Sequence, residues 1–216
     1  RAGLGGLLAD DMGLGKTLQA LASLEGRTLV VAPTSVLHGW LREAGRFRPD
    51  LAVALYHGPG RALDPKADLT VTSYAILRQD ADALARVRWD IVVLDEAQAI
   101  KNAGTAQARA VKAIRSRARL ALTGTPVENR LADLWSLFEF LNPGLLSGAT
   151  AFGKSFGADD SQDEVALLAK GLRPFILRRT KEQVALELPE KIEQTIVCEL
   201  EKPQRVLYDE LLVFAQ

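Results

Sequence analysis

Six short apolar runs recur along the chain: TLVVAP (28–33), VALYH (53–57), LTVTSY (69–74), DIVVLDE (90–96), LALTGTP (120–126) and IEQTIVCEL (192–200). Stretches with helical spacing of apolar residues, such as VLHGWLREAGRF and TAQARAVKAI, separate most of them. A strand buried on both faces reads as a nearly continuous apolar run, whereas a half-exposed strand alternates. The pattern therefore predicts an α/β fold: a mainly parallel sheet with helices on both faces. In such sheets ligands collect at the carboxyl ends of the strands, so the loops that follow these runs are where chemistry is expected.

From Leu131 to about Pro189 the pattern changes to helix after helix, LADLWSLFEFL first and DEVALLAKGLRPFILRR later, with polar GADDSQDE between them as a surface loop. The expected organisation is a sheet core over 1–130, a helical projection and return over 131–189, and a last strand with the start of a further connection over 190–216. Met12 is the only methionine, and KPQRVLYDELLVFAQ reads as an unfinished helix. The expectation is a piece of a longer protein.

The first loop of interest lies in LLADDMGLGKTLQALASL, Leu7 to Leu24. Its order is strand, glycine-bearing loop, helix, which is what phosphate binding needs: backbone N–H groups aimed from a tight loop and a helix N-terminus that favours negative charge. Gly13 and Gly15, with Leu14 between them, would let the backbone approach a phosphate. Lys16 would reach the β/γ-phosphates of ATP, and the Thr17 hydroxyl would ligate magnesium. The general phosphate-loop pattern asks for a glycine where this chain has Asp10. A glycine-bearing turn in front of an ordinary helix is the plainer alternative.

A second stretch, IVVLDEAQ, ends an apolar strand in Asp95 and Glu96. A carboxylate there, near a phosphate loop, is placed to hold magnesium, usually through water. Glu96 beside it would orient and deprotonate an attacking water. The competing reading is an acidic helix N-terminus, which does not account for the preceding strand or the GKT loop.

Composition narrows the partners. Lys+Arg and Asp+Glu balance at 27 each, so any nucleic-acid contact must come from local patches. The hydrophobic fraction is 48% with no run long enough to span a bilayer, so no membrane partner is expected. One cysteine, Cys198, allows no intrachain disulfide. A cytoplasmic location is expected, nucleoid-associated if the source is bacterial.

Seven stretches in order, GGLLADDMGLGKTLQALA, LVVAPTSVLHGWLREAGRF, VALYHG, VTSYAILR, DIVVLDEAQAIKN, RLALTGTPVENRLADLWSLFEFLNPGLL and LRPFILRRTKEQVALELPEKIE, cover nearly the whole chain. Together they resemble the first RecA-like lobe of Swi/Snf-type ATPases, the DNA-translocating branch of superfamily-two helicases. The family's loop reads acid-acid-Met-Gly-Leu-Gly-Lys-Thr, so Asp10 fits the resemblance. It implies ATP contacts at Gly13, Gly15, Lys16 and Thr17, magnesium at Thr17 and Asp95, and catalysis by Glu96 with Lys16. Gln98, where many relatives have histidine and some bacterial and archaeal ones glutamine, is implied to couple the ATP cleft to a second lobe. Thr123, Gly124 and Thr125 of TGTP are implied to link nucleotide state to lobe movement.

The implied partners are double-stranded DNA and a second RecA-like lobe of the same protein, which would supply arginines to the transferring phosphoryl group. This chain alone is expected to be nearly inactive. Thr34, Ser35, Thr72, Ser73 and Tyr74 sit at strand ends leading into helices, where they would hold DNA phosphates or cap the helices. Lys101 to Arg130 carries seven basic residues and one acid, Glu128, and reads more simply as a solvated face than as a DNA track. Trp40 and Trp135 read as core anchors, His57 as a turn residue. RPFILRRTK, Arg173 to Lys181, reads as a helix packed on the lobe with its charges outward. Another superfamily-two motor is the alternative, which LTGTPVENRLADLWSL argues against. A non-catalytic nucleic-acid-binding module is the other, which intact Lys16, Thr17, Asp95 and Glu96 argue against.

Overall fold

The computed structural model describes residues 3–124, 131–146 and 168–184, together with 201, 204–205, 207–209 and 211. Contacts divide the chain into two compact units, Arg1–Val184 and Ala185–Gln216. The sheet and the candidate site residues belong to the first unit.

Among the described residues seven strands form one sheet: β1 (Gly6–Leu8), β2 (Thr28–Ala32), β3 (Val53–Tyr56), β4 (Leu69–Ser73), β5 (Trp89–Leu94), β6 (Ser116–Leu122) and β7 (Ile176–Leu177). Their spatial order is β3-β4-β2-β5-β6-β1-β7, and every pairing is parallel. The helices among the described residues include α1 (Lys16–Ser23), α2 (Leu37–Phe47), α3 (Tyr74–Gln79), α4 (Ala81–Ala85), α5 (Ala106–Ala113) and α6 (Leu131–Leu141). All five residues of β2 and of β4 are buried, as the continuous apolar runs require of strands covered on both faces.

Successive strand residues point to opposite faces, and the core divides accordingly. Leu29, Val31, Val92 and Leu94 join one cluster with Leu77, Ile100 and Val111. Val30, Ala32, Val71 and Val93 join the other with Leu21, Leu37 and Trp40. The sheet with helices on both faces is thus present as expected. Two hydroxyls start helices: Ser73 Oγ accepts the Ile76 N–H of α3, and Thr105 Oγ1 accepts the Ala108 N–H of α5.

The helix α6, which opens the segment read as a projection, is anchored in the core: Leu137, Phe140 and Leu141 lie in the core cluster, and Phe138 is buried edge-on to Phe175 at 6.2 Å. An apolar stripe that wide is satisfied by packing on the sheet domain. RPFILRRTK is not a helix: Arg173–Phe175 is a 3-10 turn, Ile176–Leu177 is β7, and the next helical turn starts at Lys181. Pro174 cannot donate to a helical ladder, and the open edge of β1 offers Ile176 and Leu177 a parallel partner. The expected strand over 192–200, and the cuts expected after residues 130 and 189, lie outside the described residues.

Candidate active site

The sheet brings three loops together. The strand β6 lies between β5 and β1, with Leu122 level with Leu8 and Ala121 level with Leu94. Ala9, Asp95 and Thr123 therefore leave three neighbouring strands at the same carboxyl edge, where ligands collect in such sheets. The Thr123 N–H donates to Leu8 O at 3.0 Å, so the ladder runs into the loops themselves.

The loop after β1 has the conformation that its glycines permit. Gly13 has φ 89° and Gly15 has φ 74°, a left-handed region costly to residues with a Cβ. Gly15 is the N-cap of α1 and has no side chain to close the helix end. Backbone N–H groups at that end are thus left for a ligand, and the helix dipole favours an anion there. Lys16 and Thr17 open α1, both half-buried. The Lys16 ammonium bends back, donating to Asp10 O at 2.8 Å and Asp11 O at 3.2 Å. Its position is fixed by the loop it follows.

Asp95 is held on every side. Its Oδ2 accepts the Trp40 indole N–H at 2.8 Å, its Oδ1 accepts the Glu96 N–H at 2.9 Å, and its carbonyl accepts the Tyr74 hydroxyl at 2.8 Å. Burial pushes its carboxyl above the ordinary 3.8; the Trp40 hydrogen bond opposes this and the neighbouring Glu96 charge adds to it. An adjacent cation would relieve that penalty. Thr17 and Asp95 are hard oxygen donors, the kind magnesium takes in small number while keeping its waters, so the donor set fits that ion.

Glu96 is the only residue other than glycine with positive φ among those described, at 49°. A carboxylate residue held in this region at a strand end is a local strain of the kind found at functional sites. The Gln98 amide donates to Glu96 Oε2 at 2.7 Å, and Thr123 Oγ1 donates to Gln98 Oε1 at 3.0 Å. Gln98 thus bridges the acidic loop after β5 to the loop after β6. Gly124 closes the group from the other side: a Cβ there would run into the Met12 side chain and meet Lys16 Nζ at 3.4 Å. Thr125 lies outside the described residues.

The expected ATP, magnesium and coupling residues that are described therefore converge. The five DNA candidates do not behave alike. Thr34 and Ser35 are exposed, but Thr72, Ser73 and Tyr74 are buried and their hydroxyls are engaged inside the molecule. Thr72 donates to Tyr56 O, Ser73 caps α3 and Tyr74 reaches Asp95. The strand-end hydroxyls of β4 thus serve the fold and the Asp95 loop, the Ser73 cap being the alternative the sequence left beside DNA contact.

Within the basic stretch 101–130, Lys112 and Arg119 are not solvated outer charges. Lys112 donates to Ser136 Oγ and lies 5.0 Å from the Trp135 ring centre, and Arg119 donates to the carbonyls of Phe140 and Ile114. Sequence reasoning also missed Trp40 and Tyr74 as supports of Asp95. A buried tryptophan or tyrosine needs a partner for its polar atom, and that was the available signal.

The chain is similar to known proteins in sequence and in fold. The description SNF2-related domain matches residues 1–216. The chain is 44% identical to YwqA of Bacillus subtilis over 98% of this chain and 25% of that protein. It is 35% identical to the chromatin-remodeling ATPase INO80 of Schizosaccharomyces pombe over 97% of this chain and 15% of that protein. Among solved structures, a Sulfolobus solfataricus SWI2/SNF2 ATPase core in complex with double-stranded DNA superposes with a TM-score of 0.79 at 41% identity, covering 96% of this chain and 47% of that one. The chain thus spans a quarter or less of the two relatives and about half of the solved core.

Proposed function

This chain belongs to the SNF2-related family, and from that membership we propose that it is the ATP-binding first lobe of a DNA-dependent ATPase that translocates on double-stranded DNA and remodels protein–DNA complexes. The observation that carries the reading is the Glu96–Gln98–Thr123 bridge beside the phosphate loop, because it joins a candidate base to the strand end that faces Lys16 and Met12.

In this reading the backbone around Gly13, Leu14 and Gly15 and the N-terminus of α1 cradle the phosphates. Lys16 exchanges the carbonyls of Asp10 and Asp11 for phosphate oxygens. Thr17 and Asp95 would hold magnesium, which would supply positive charge against the phosphates of the nucleotide. Gln98 occupies one oxygen of Glu96, Oε2, and turns the carboxylate so that Oε1 faces the attacking water and takes its proton. Because Gln98 also accepts from Thr123, a change at the γ-phosphate is felt at the loop after β6, from which movement relative to a second lobe is driven. Thr34 and Ser35, exposed between β2 and α2, are the described candidates for a DNA-backbone contact.

A second lobe is needed for turnover. Arginines supplied across such an interface contribute ~10³–10⁵ in rate, so this chain alone is expected to be silent. The test is ATP turnover with and without duplex DNA, for the two-lobed protein and for this chain. Strong stimulation of the two-lobed protein beside a silent single lobe is expected. A two-lobed protein whose turnover ignores duplex DNA would overturn the proposal. Glu96→Gln is expected to abolish turnover and keep ATP binding; near-normal turnover would remove Glu96 as the base.

A further inference from the structure

Asp10 stands where the general phosphate loop has glycine, and it is fully buried. Its carboxylate is nonetheless among the most heavily bonded groups in the molecule. Oδ1 accepts the Arg179 backbone N–H at 2.9 Å, and Oδ2 accepts Arg179 Nη2 at 2.5 Å and Gln19 Nε2 at 3.2 Å. Arg179 Nε adds longer bonds to both oxygens, and its Nη2 also donates to Gln19 Oε1 at 2.6 Å. Gln19 Nε2 in turn donates to Leu14 O at 2.9 Å. The cluster therefore grips the phosphate loop at its entry, at Asp10, and at its exit, at Leu14 and the first turn of α1.

Backbone contacts run the same way. The Ala9 N–H donates to Leu177 O, the Asp11 N–H to Arg179 O, and the Lys181 N–H to Asp11 Oδ2. The strand β7 itself has only two residues; Leu177 is 50% exposed and Ile176 is partly buried against the core cluster, so these hydrogen bonds add to a modest apolar hold on the sheet edge. Lys16 is bound by the carbonyls of Asp10 and Asp11, so whatever moves Asp10 moves the lysine meant for phosphate.

We propose that Arg179 is a positioning residue for nucleotide: through Asp10 and Gln19 it sets the backbone of the phosphate loop, and the loop reaches binding geometry only when the β7 segment is docked. Arg179 itself touches no phosphate. It acts on the aspartate that stands where the general pattern has glycine, and so ties the loop to a segment 169 positions later. The inference rests on the reading of residues 9–17 as the nucleotide loop.

The experiment is equilibrium binding of a fluorescent (N-methylanthraniloyl) ADP with magnesium to the two-lobed protein, at a temperature where circular dichroism shows each variant folded. Arg179→Gln and Asp10→Asn are each expected to weaken binding about tenfold or more, and the double variant to be within roughly threefold of the worse single, as for groups acting through one contact. Arg179→Lys, which keeps the charge but not the planar fork, is expected to recover part of the loss. In steady-state ATPase the KM for ATP is expected to rise by a larger factor than kcat falls.

Binding by Arg179→Gln within about twofold of wild type, or single losses that multiply in the double variant, would overturn the proposal. If Arg179→Gln does not fold, Asp10→Asn decides by the same twofold limit. Lys16→Ala separates the two levels of inference. Unchanged binding in Lys16→Ala sinks the nucleotide-loop reading itself, whereas loss there beside intact binding in Arg179→Gln sinks only the role of Arg179.

Discussion

Replacing Trp40 by phenylalanine separates the two jobs of that side chain. Trp40 is 1% exposed in the core cluster against Leu21 and Leu37, and its indole N–H is bonded to Asp95 Oδ2. Phenylalanine keeps an aromatic plate in the core but loses that donor and two ring carbons. A hydrogen bond to a charged acceptor is worth ~1.5–3 kcal/mol. Two buried ring carbons at ~0.8 kcal/mol each add about 1.5, for a sum of ~3–4.5 kcal/mol. At ~2–4 °C per kcal/mol for a domain of this size, Tm is expected to fall by ~6–18 °C. Asp95, no longer held, should also demand more magnesium for half-maximal ATP turnover. Thermal melting and a magnesium titration of the two-lobed protein read both. A Tm within ~2 °C of wild type would refute the value given to the Trp40–Asp95 bond. An unchanged magnesium requirement would refute Asp95 as a metal ligand aimed by Trp40.

The same geometry sets other outcomes. Thr123→Val removes the hydroxyl that donates to Gln98 and is expected to lower turnover at saturating ATP with little change in KM; a parallel rise in KM would place Thr123 in binding instead. Burial pushes the Asp10 carboxyl up, but hydrogen bonds from Arg179 and Gln19 and the charge of Arg179 outweigh it and hold it below 3.8. That stability is present above 3.8 and is lost as pH falls through the lower folded value. The advantage of wild type over Asp10→Asn in denaturant melts should therefore shrink as pH drops below 3.8, and a pH-independent gap would contradict the ion pair. A Cβ at Gly5 would run into the backbone carbonyl of Leu141, so Gly5→Ala is expected to cost ~1–3 kcal/mol, read as a lowered urea midpoint.

The sheet was legible because its strands are covered on both faces and their runs need no partner to be recognised. The phosphate loop was legible because glycines at 13 and 15 and the lysine at 16 are local signals. What the sequence hid were bonds made across the fold. The Gln98–Thr123 bridge spans 25 positions and the Asp10–Arg179 pair 169, and no local spacing encodes either. Arg179 read as an outward charge because a basic residue in an amphipathic run usually is one. The one hint was Asp10 itself, a carboxylate at the end of an apolar strand, which burial makes costly unless a cation meets it. Tyr74 and Thr72 left the choice open for a different reason: hydroxyls at strand ends suit a phosphate and a neighbouring carbonyl equally well.

The position of β1 between β6 and β7 bears on how such a lobe is made. Of the seven strands it leaves the ribosome first, yet both of its neighbours come from residues 116–122 and 176–177. A chain that grows in sequence order can pair β2, β4 and β5 with one another long before β1 has a place to dock. The nucleotide loop is thus synthesised early and installed late, after some 160 further residues have entered the sheet, the loops or the helices. On the proposal made for Arg179, a chain stopped between the end of β6 and the start of β7 would keep the rest of the sheet but lack the contact that seats its phosphate loop.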